Sequence, residues 1–161
     1  MSNIAISLKD VNVSYGDKRA LTDATIEIPY RSFTGVIGMN GAGKSTIFKV
    51  IMGLVKPQSG DVTVCSDPVN IAQKHGHVAY VPQSEDVDWY FPISVHEVVM
   101  MGRYGSQNAF KTSSKKDEIN VKNALEQVGM LDHKDHQIGE LSGGQKKRVF
   151  VARALAQGAD I

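Results

Sequence analysis

The stretch Gly38-Met39-Asn40-Gly41-Ala42-Gly43-Lys44-Ser45-Thr46 decides the fold. It satisfies G-x-x-x-x-G-K-[ST] through Gly38, Gly43, Lys44 and Ser45. Glycines at these places let the backbone bend so that successive N–H groups converge on phosphate oxygens, and the helix that follows aims its positive end at the anion. Lys44 supplies a point charge for terminal phosphates, and the Ser45 hydroxyl is placed to coordinate Mg²⁺. The flanks suit this chemistry. Phe33 to Gly38, FTGVIG, reads as a short buried strand, and the residues after Lys44 keep Ile47, Val50, Ile51 and Leu54 at helical spacing. The expected site is therefore a strand–loop–helix that binds a nucleotide.

Upstream, IAISL, VNVSY and ATIEI alternate apolar and polar residues, with Tyr15-Gly16-Asp17-Lys18 as a turn, which predicts antiparallel strands. Downstream, KPQSGD reads as a loop, and DVTV and HVAYV (77–81) read as strands. Beyond Pro82 the pattern becomes helical. Ser94 with Glu97 makes a capping box for a helix stopped at Gly102. Ser114 with Asp117 opens a second helix running to Val128, with Ile119, Ala124, Leu125 and Val128 as its apolar stripe. A last helix opens at Leu141-Ser142-Gly143-Gly144-Gln145, where Ser142 is a good N-cap and two glycines expose backbone N–H groups. It is a second phosphate-seeking helix end.

The chain has 161 residues, 42% hydrophobic and 22% charged, with a net charge of +1. This is a globular composition whose charge does not point to nucleic acid. The single cysteine, Cys65, excludes an internal disulfide and reads as a half-buried hydrophobe at the end of the strand DVTVC. No stretch approaches the ~20 apolar residues of a membrane span, and the N-terminus lacks a signal-peptide pattern, so a cytoplasmic protein is expected. Five histidines include the pairs His75-x-His77 and His133-x-x-His136. Both lie in loop-like sequence with no evident third ligand, so surface histidines and no transition-metal site are expected.

The phosphate loop followed about a hundred residues later by LSGGQ resembles the ATP-binding-cassette ATPases, where LSGGQ is the signature. Tyr15 sits where that family stacks an aromatic ring on adenine, and Gln83 in YVPQ sits at its Q-loop. The stretch VPQSEDVDWYFPISVHEVVMMGRYG, with Trp89, Tyr90 and Phe91, resembles the ATPase subunits of manganese, zinc and iron importers. The resemblance implies an α/β fold. It comprises a P-loop NTPase core with an N-terminal antiparallel β subdomain and an inserted helical subdomain, over about 1–87, 88–140 and 141–161 of one ATPase domain.

The resemblance further implies ATP and Mg²⁺ as cofactors. ATP would be held by Tyr15, Gly38, Asn40, Gly41, Ala42, Gly43, Lys44, Ser45 and Thr46, with Lys44 and Gln83 catalytic and Ser45 and Gln83 toward Mg²⁺. Two copies would pair head to tail, so that Leu141, Ser142, Gly143, Gly144 and Gln145 of one close over the ATP of the other. A polytopic membrane permease and a metal-binding extracytoplasmic protein are the implied partners, with the ATPase peripheral on the cytoplasmic face and no nucleic acid.

One departure from the family pattern stands out. The family continues past LSGGQ into a strand ending in an acidic pair and then a switch histidine, and Ile161 falls where that strand would begin. The C-terminal part of the core is thus expected to be missing, leaving an N-terminal piece that binds ATP but is hydrolysis-deficient. Other readings of the same residues are a non-hydrolysing regulatory module or a cassette ATPase for another substrate.

Overall fold

The computed structural model describes residues 3–82, 91–107 and 112–161. The chain forms two compact units, residues 1–78 with Ile161, and residues 79–160.

The first unit is built on a four-stranded antiparallel sheet of order β2-β1-β3-β4. β1 (Ile4–Tyr15) and β2 (Lys18–Pro29) form a hairpin, Tyr15 pairing with Lys18 across Gly16, whose φ is 57°. The two apolar runs read in the sequence are one strand with a bulge. Ile6 and Leu8 are buried, then Val11 and Val13, and the ladder slips between Leu8 and Val11. An extra residue resets the side-chain parity so that both halves face the same core. Asp10 (φ 52°) takes the bulge conformation, and Asn12 Nδ2 ties it down by donating to the Asp10 carbonyl (3.0 Å), Asp23 Oδ1 (2.9 Å) and Ser59 Oγ (3.1 Å).

β3 (Ser59–Val64) pairs with β1 and starts inside the stretch expected to be loop. Gly60 explains how: its φ is 89°, and a Cβ there would strike the carbonyls of Lys9 and Asp10. A two-residue turn, Cys65-Ser66, leads to β4 (Asp67–Pro68), with Val64 paired to Asp67. Cys65 thus lies in a turn at φ 53°, not in the strand as expected. Two helices complete the unit, α1 (Lys44–Ile51) and α2 (Val69–His75). Leu8, Val11, Val13, Leu21, Val50, Ile51, Val64 and Ala72 form its core.

Two expected strands are not formed. Residues 33–38 carry no strand pairing, and Phe33 and Ile37 are fully exposed. Residues 77–81 likewise form no strand, with Tyr80 and Val81 exposed. A β-branched run becomes a strand only when a neighbour takes its N–H and C=O groups, and no strand lies beside either segment among the described residues.

The second unit is helical. α3 (Val95–Met100), α4 (Lys115–Gln127) and α5 (Gly143–Gln157) pack around Val95, Val99, Val121, Leu125, Met130, Ile138, Val149 and Phe150. The predicted capping boxes of Ser94 with Glu97 and Ser114 with Asp117 are both closed. The α4 stripe is shifted from expectation: Val121 is buried and Ile119 is exposed, because Asp117, not Ile119, turns inward. There Asp117 Oδ1 accepts from Arg103 Nε at 2.9 Å, while Arg103 Nη1 donates to the carbonyls of Ala156 (2.8 Å) and Gln157 (3.0 Å). One guanidinium thus joins the start of α4 to the end of α5. The Ser114 backbone N–H and hydroxyl, and then Arg103, hold the Asp117 carboxyl down from 3.8 to about 2.

Candidate nucleotide site

The glycine loop runs into α1 with its backbone shaped for an anion. Gly41 (φ 86°) and Gly43 (φ 88°) take the left-handed conformation. At Gly43 nothing larger fits, since a Cβ would lie 2.5 Å from the Ala20 carbonyl and 3.0 Å from Leu21 Cδ2 of β2. This contact seats the loop on the hairpin whose tip carries Tyr15, 47% exposed.

No side chain caps α1, and its first turn holds no acid. Its N-terminal N–H groups therefore retain the partial positive charge of a helix end. Lys44 adds a full charge. Its ammonium donates to the carbonyls of Gly38 (2.6 Å) and Met39 (2.7 Å), folding the loop back over the helix start. An ammonium has three donors, so one remains for a ligand. Thr46 is buried under the turn, whereas Asn40, Gly41, Ala42 and Ser45 are exposed. These donors suit a polyphosphate, and the Ser45 hydroxyl is open to a hydrated Mg²⁺ accompanying it.

In the second unit, LSGGQ forms the start of α5. Ser142 Oγ accepts from the Gln145 N–H at 3.3 Å, and Gln145 Oε1 accepts from the Ser142 N–H at 2.9 Å, a reciprocal capping box. Leu141 is buried and anchors the turn, while Gly143 and Gly144 face open space on their Cα sides. Gln145 Nε2 also lies 3.2 Å from His133 Nε2. Sequence reasoning gave His133 no part here, and no local pattern could have linked residues 133 and 145. Each phosphate-seeking helix end belongs to its own compact unit. Gln83, Trp89 and Tyr90 lie outside the described residues. No helix among the described residues is long and apolar enough to cross a membrane.

Comparison with known proteins gives the family. The sequence profile described as ABC transporter matches residues 21–161. The manganese transport system ATP-binding protein MntA of Synechocystis is 51% identical over 158 residues, covering 98% of this chain and 61% of the relative. The chelated iron transport system membrane protein YfeB of Yersinia pestis is 50% identical, covering 92% of this chain and 50% of that protein. The chain therefore spans between half and three-fifths of the length of these relatives. Among solved structures, cbiO1 of Clostridium perfringens, part of the transporter complex cbiONQ, superposes with a TM-score of 0.80 at 31% identity over 98% of this chain and 63% of its own. With a family profile spanning most of its length, a relative at half identity and a solved neighbour of the same fold, the chain belongs to the ABC transporter family of ATP-binding proteins.

Proposed function

We propose that this chain is the ATP-binding part of a subunit that couples ATP to the transport of a metal ion through a separate membrane permease. The carrying observation is the loop Gly38–Thr46 itself. An uncapped helix end and a lysine with one donor to spare converge where a triphosphate would sit. Manganese, iron and zinc are the cargo candidates, and two relatives are named for the first two of these metals.

In this reading Gly38, Asn40, Gly41, Ala42, Gly43, Lys44, Ser45 and Thr46 hold the nucleotide, Tyr15 stacks on adenine, and Ser45 with Gln83 faces Mg²⁺. When bound, Mg²⁺ supplies charge neutralisation for the β- and γ-phosphates. Ser142, Gly143 and Gly144 contact the ATP of a second copy in a head-to-tail dimer. Gln145 holds that turn through the capping box. The dimer works on the cytoplasmic face, against a permease fed by a metal-binding extracytoplasmic protein. The division into a β subdomain with loop core, a helical subdomain and the signature helix belongs to the same reading.

The test is metal uptake by cells whose full-length subunit carries Lys44→Ala or Ser142→Arg. Accumulation of manganese, zinc or iron should collapse in both. Uptake of all three metals unchanged in both variants overturns the transport reading.

A further inference from the structure

Outside the nucleotide site, three side chains on one short stretch of chain converge. Asp67 Oδ2 lies 3.1 Å from His75 Nδ1 and 3.7 Å from His77 Nε2, and one ligand atom from each of the three falls within 4.8 Å of the others. The two imidazole rings meet edge to face with centroids 5.4 Å apart. The sequence leaves these histidines without a third ligand because Asp67 is eight residues away. The fold supplies it.

The convergence is fixed by backbone on both sides. Asp67 is set by the Cys65-Ser66 turn, with both residues at positive φ (53° and 69°), and by its pairing with Val64. Pro68 then stands at the N-cap of α2, which brings the chain back toward Asp67. At the far end α2 stops in a Schellman motif: Gly76 (φ 73°) donates its N–H to Gln73, and His77 donates to Ala72. That turn brings His75 and His77 to the same oxygen, Oδ2 of Asp67.

The spacing suits a first-row metal ion. Two ligand atoms each ~2.0–2.1 Å from a tetrahedral ion lie ~3.3 Å apart. The observed 3.1 and 3.7 Å from the Asp67 carboxylate bracket that figure, and the imidazole ligand atoms, within 4.8 Å of each other, come onto the same ion by turning about their side-chain bonds. The side chains of His75, Asp67 and His77 are 57%, 36% and 26% exposed, which leaves an entry path and room for water as a fourth ligand. Two imidazoles and one carboxylate favour zinc over manganese or magnesium, both by donor type and by the stability order of divalent ions.

We propose that Asp67, His75 and His77 form a Zn²⁺ site on the β3–β4 hairpin and the end of α2, separate from the nucleotide loop. It departs from the sequence expectation of surface histidines without a transition-metal site. Zinc there cross-links the turn after β3 to the end of α2 and stabilises the fold by mass action.

The test is a Zn²⁺ titration of the tag-free, nucleotide-free 161-residue chain against a chromophoric chelator, with thermal unfolding read in parallel. One equivalent should bind and raise the unfolding temperature. Asp67→Asn, His75→Gln and His77→Gln should each weaken binding by at least ~10-fold, the least that loss of even an outer-shell partner costs at a metal site. His136→Gln should leave it unchanged. Co²⁺ as a spectroscopic probe should give intense four-coordinate visible bands that the three substitutions abolish. Absence of saturable binding, or binding equally sensitive to His136→Gln, overturns the proposal. Far-UV circular dichroism of each variant separates lost ligands from lost fold.

Discussion

Replacing Lys44 with alanine isolates what the loop contributes to a nucleotide. In the free protein two of the three ammonium donors are engaged by the carbonyls of Gly38 and Met39. A bound triphosphate can take the third without breaking either. The substitution removes both loop bonds and, from the nucleotide, one charge-assisted hydrogen bond, a term of about 1.5–3 kcal/mol, which is about 10- to 140-fold in Kd. The fold should survive, because α1 is held by Val50 and Ile51 and not by Lys44. The assay is equilibrium binding of ATP, ADP and AMP to both proteins with Mg²⁺ present. The loss should appear for ATP, shrink for ADP and vanish for AMP, whose single phosphate does not reach the ammonium. Equal losses for all three would refute the reasoning, since they would mean the lysine acts only through its bonds to the Gly38 and Met39 carbonyls and does not touch the terminal phosphates. So would an ATP affinity within twofold of the parent.

Gly43→Ala should destabilise the first unit by more than the ~1–2 kcal/mol of forcing an L-residue into left-handed geometry, because the new Cβ also meets the Ala20 carbonyl. Urea unfolding of the variant checks it. Ser142→Ala opens the capping box of α5 and should cost about 0.5–2 kcal/mol in the same assay, while Ser142→Asp recovers most of it. Asp117, held at about 2 when folded, favours the ionised native state. The stability it contributes is complete above about pH 4 and lost as the pH falls toward 2. Asp117→Asn should flatten that part of an acid-unfolding curve followed by circular dichroism, and an unchanged curve would show that the carboxylate is not what titrates. Leu125→Ala, at a position 1% exposed in the second core, should cost about 2–5 kcal/mol by chemical denaturation.

What the sequence discloses here is what is local. Each capping box joins residues three apart, so Ser94, Ser114 and Ser142 announce their helices from the sequence alone, and the glycine loop carries its own backbone geometry. What it conceals depends on partners distant in the chain. The parity reset at Asp10 needs the Asn12 side chain, Asp23 and Ser59 together. The inward turn of Asp117 depends on Arg103, fourteen residues earlier in a stretch that reads as polar loop. α2 lacks a serine or threonine cap, since Pro68 stands at its N-cap, and so its ending at Gly76 and the company His75 keeps were invisible. FTGVIG shows the converse failure. Its composition is that of a strand, but composition supplies no neighbour to bond with.

That unpaired segment also governs how these 161 residues behave as a solute. Phe33 to Gly38 is six consecutive residues without a charge or a proline, with two large apolar side chains open to water. Segments of this length, β-propensity and neutrality are the ones that stack between molecules when nothing within the molecule covers them. A net charge of +1 provides almost no long-range repulsion to oppose it. Colloidal stability is therefore concentrated in a few residues beside the glycine loop. Light scattering should rise with protein concentration and fall sharply when Thr34 is replaced by lysine, a charge placed in the middle of the run.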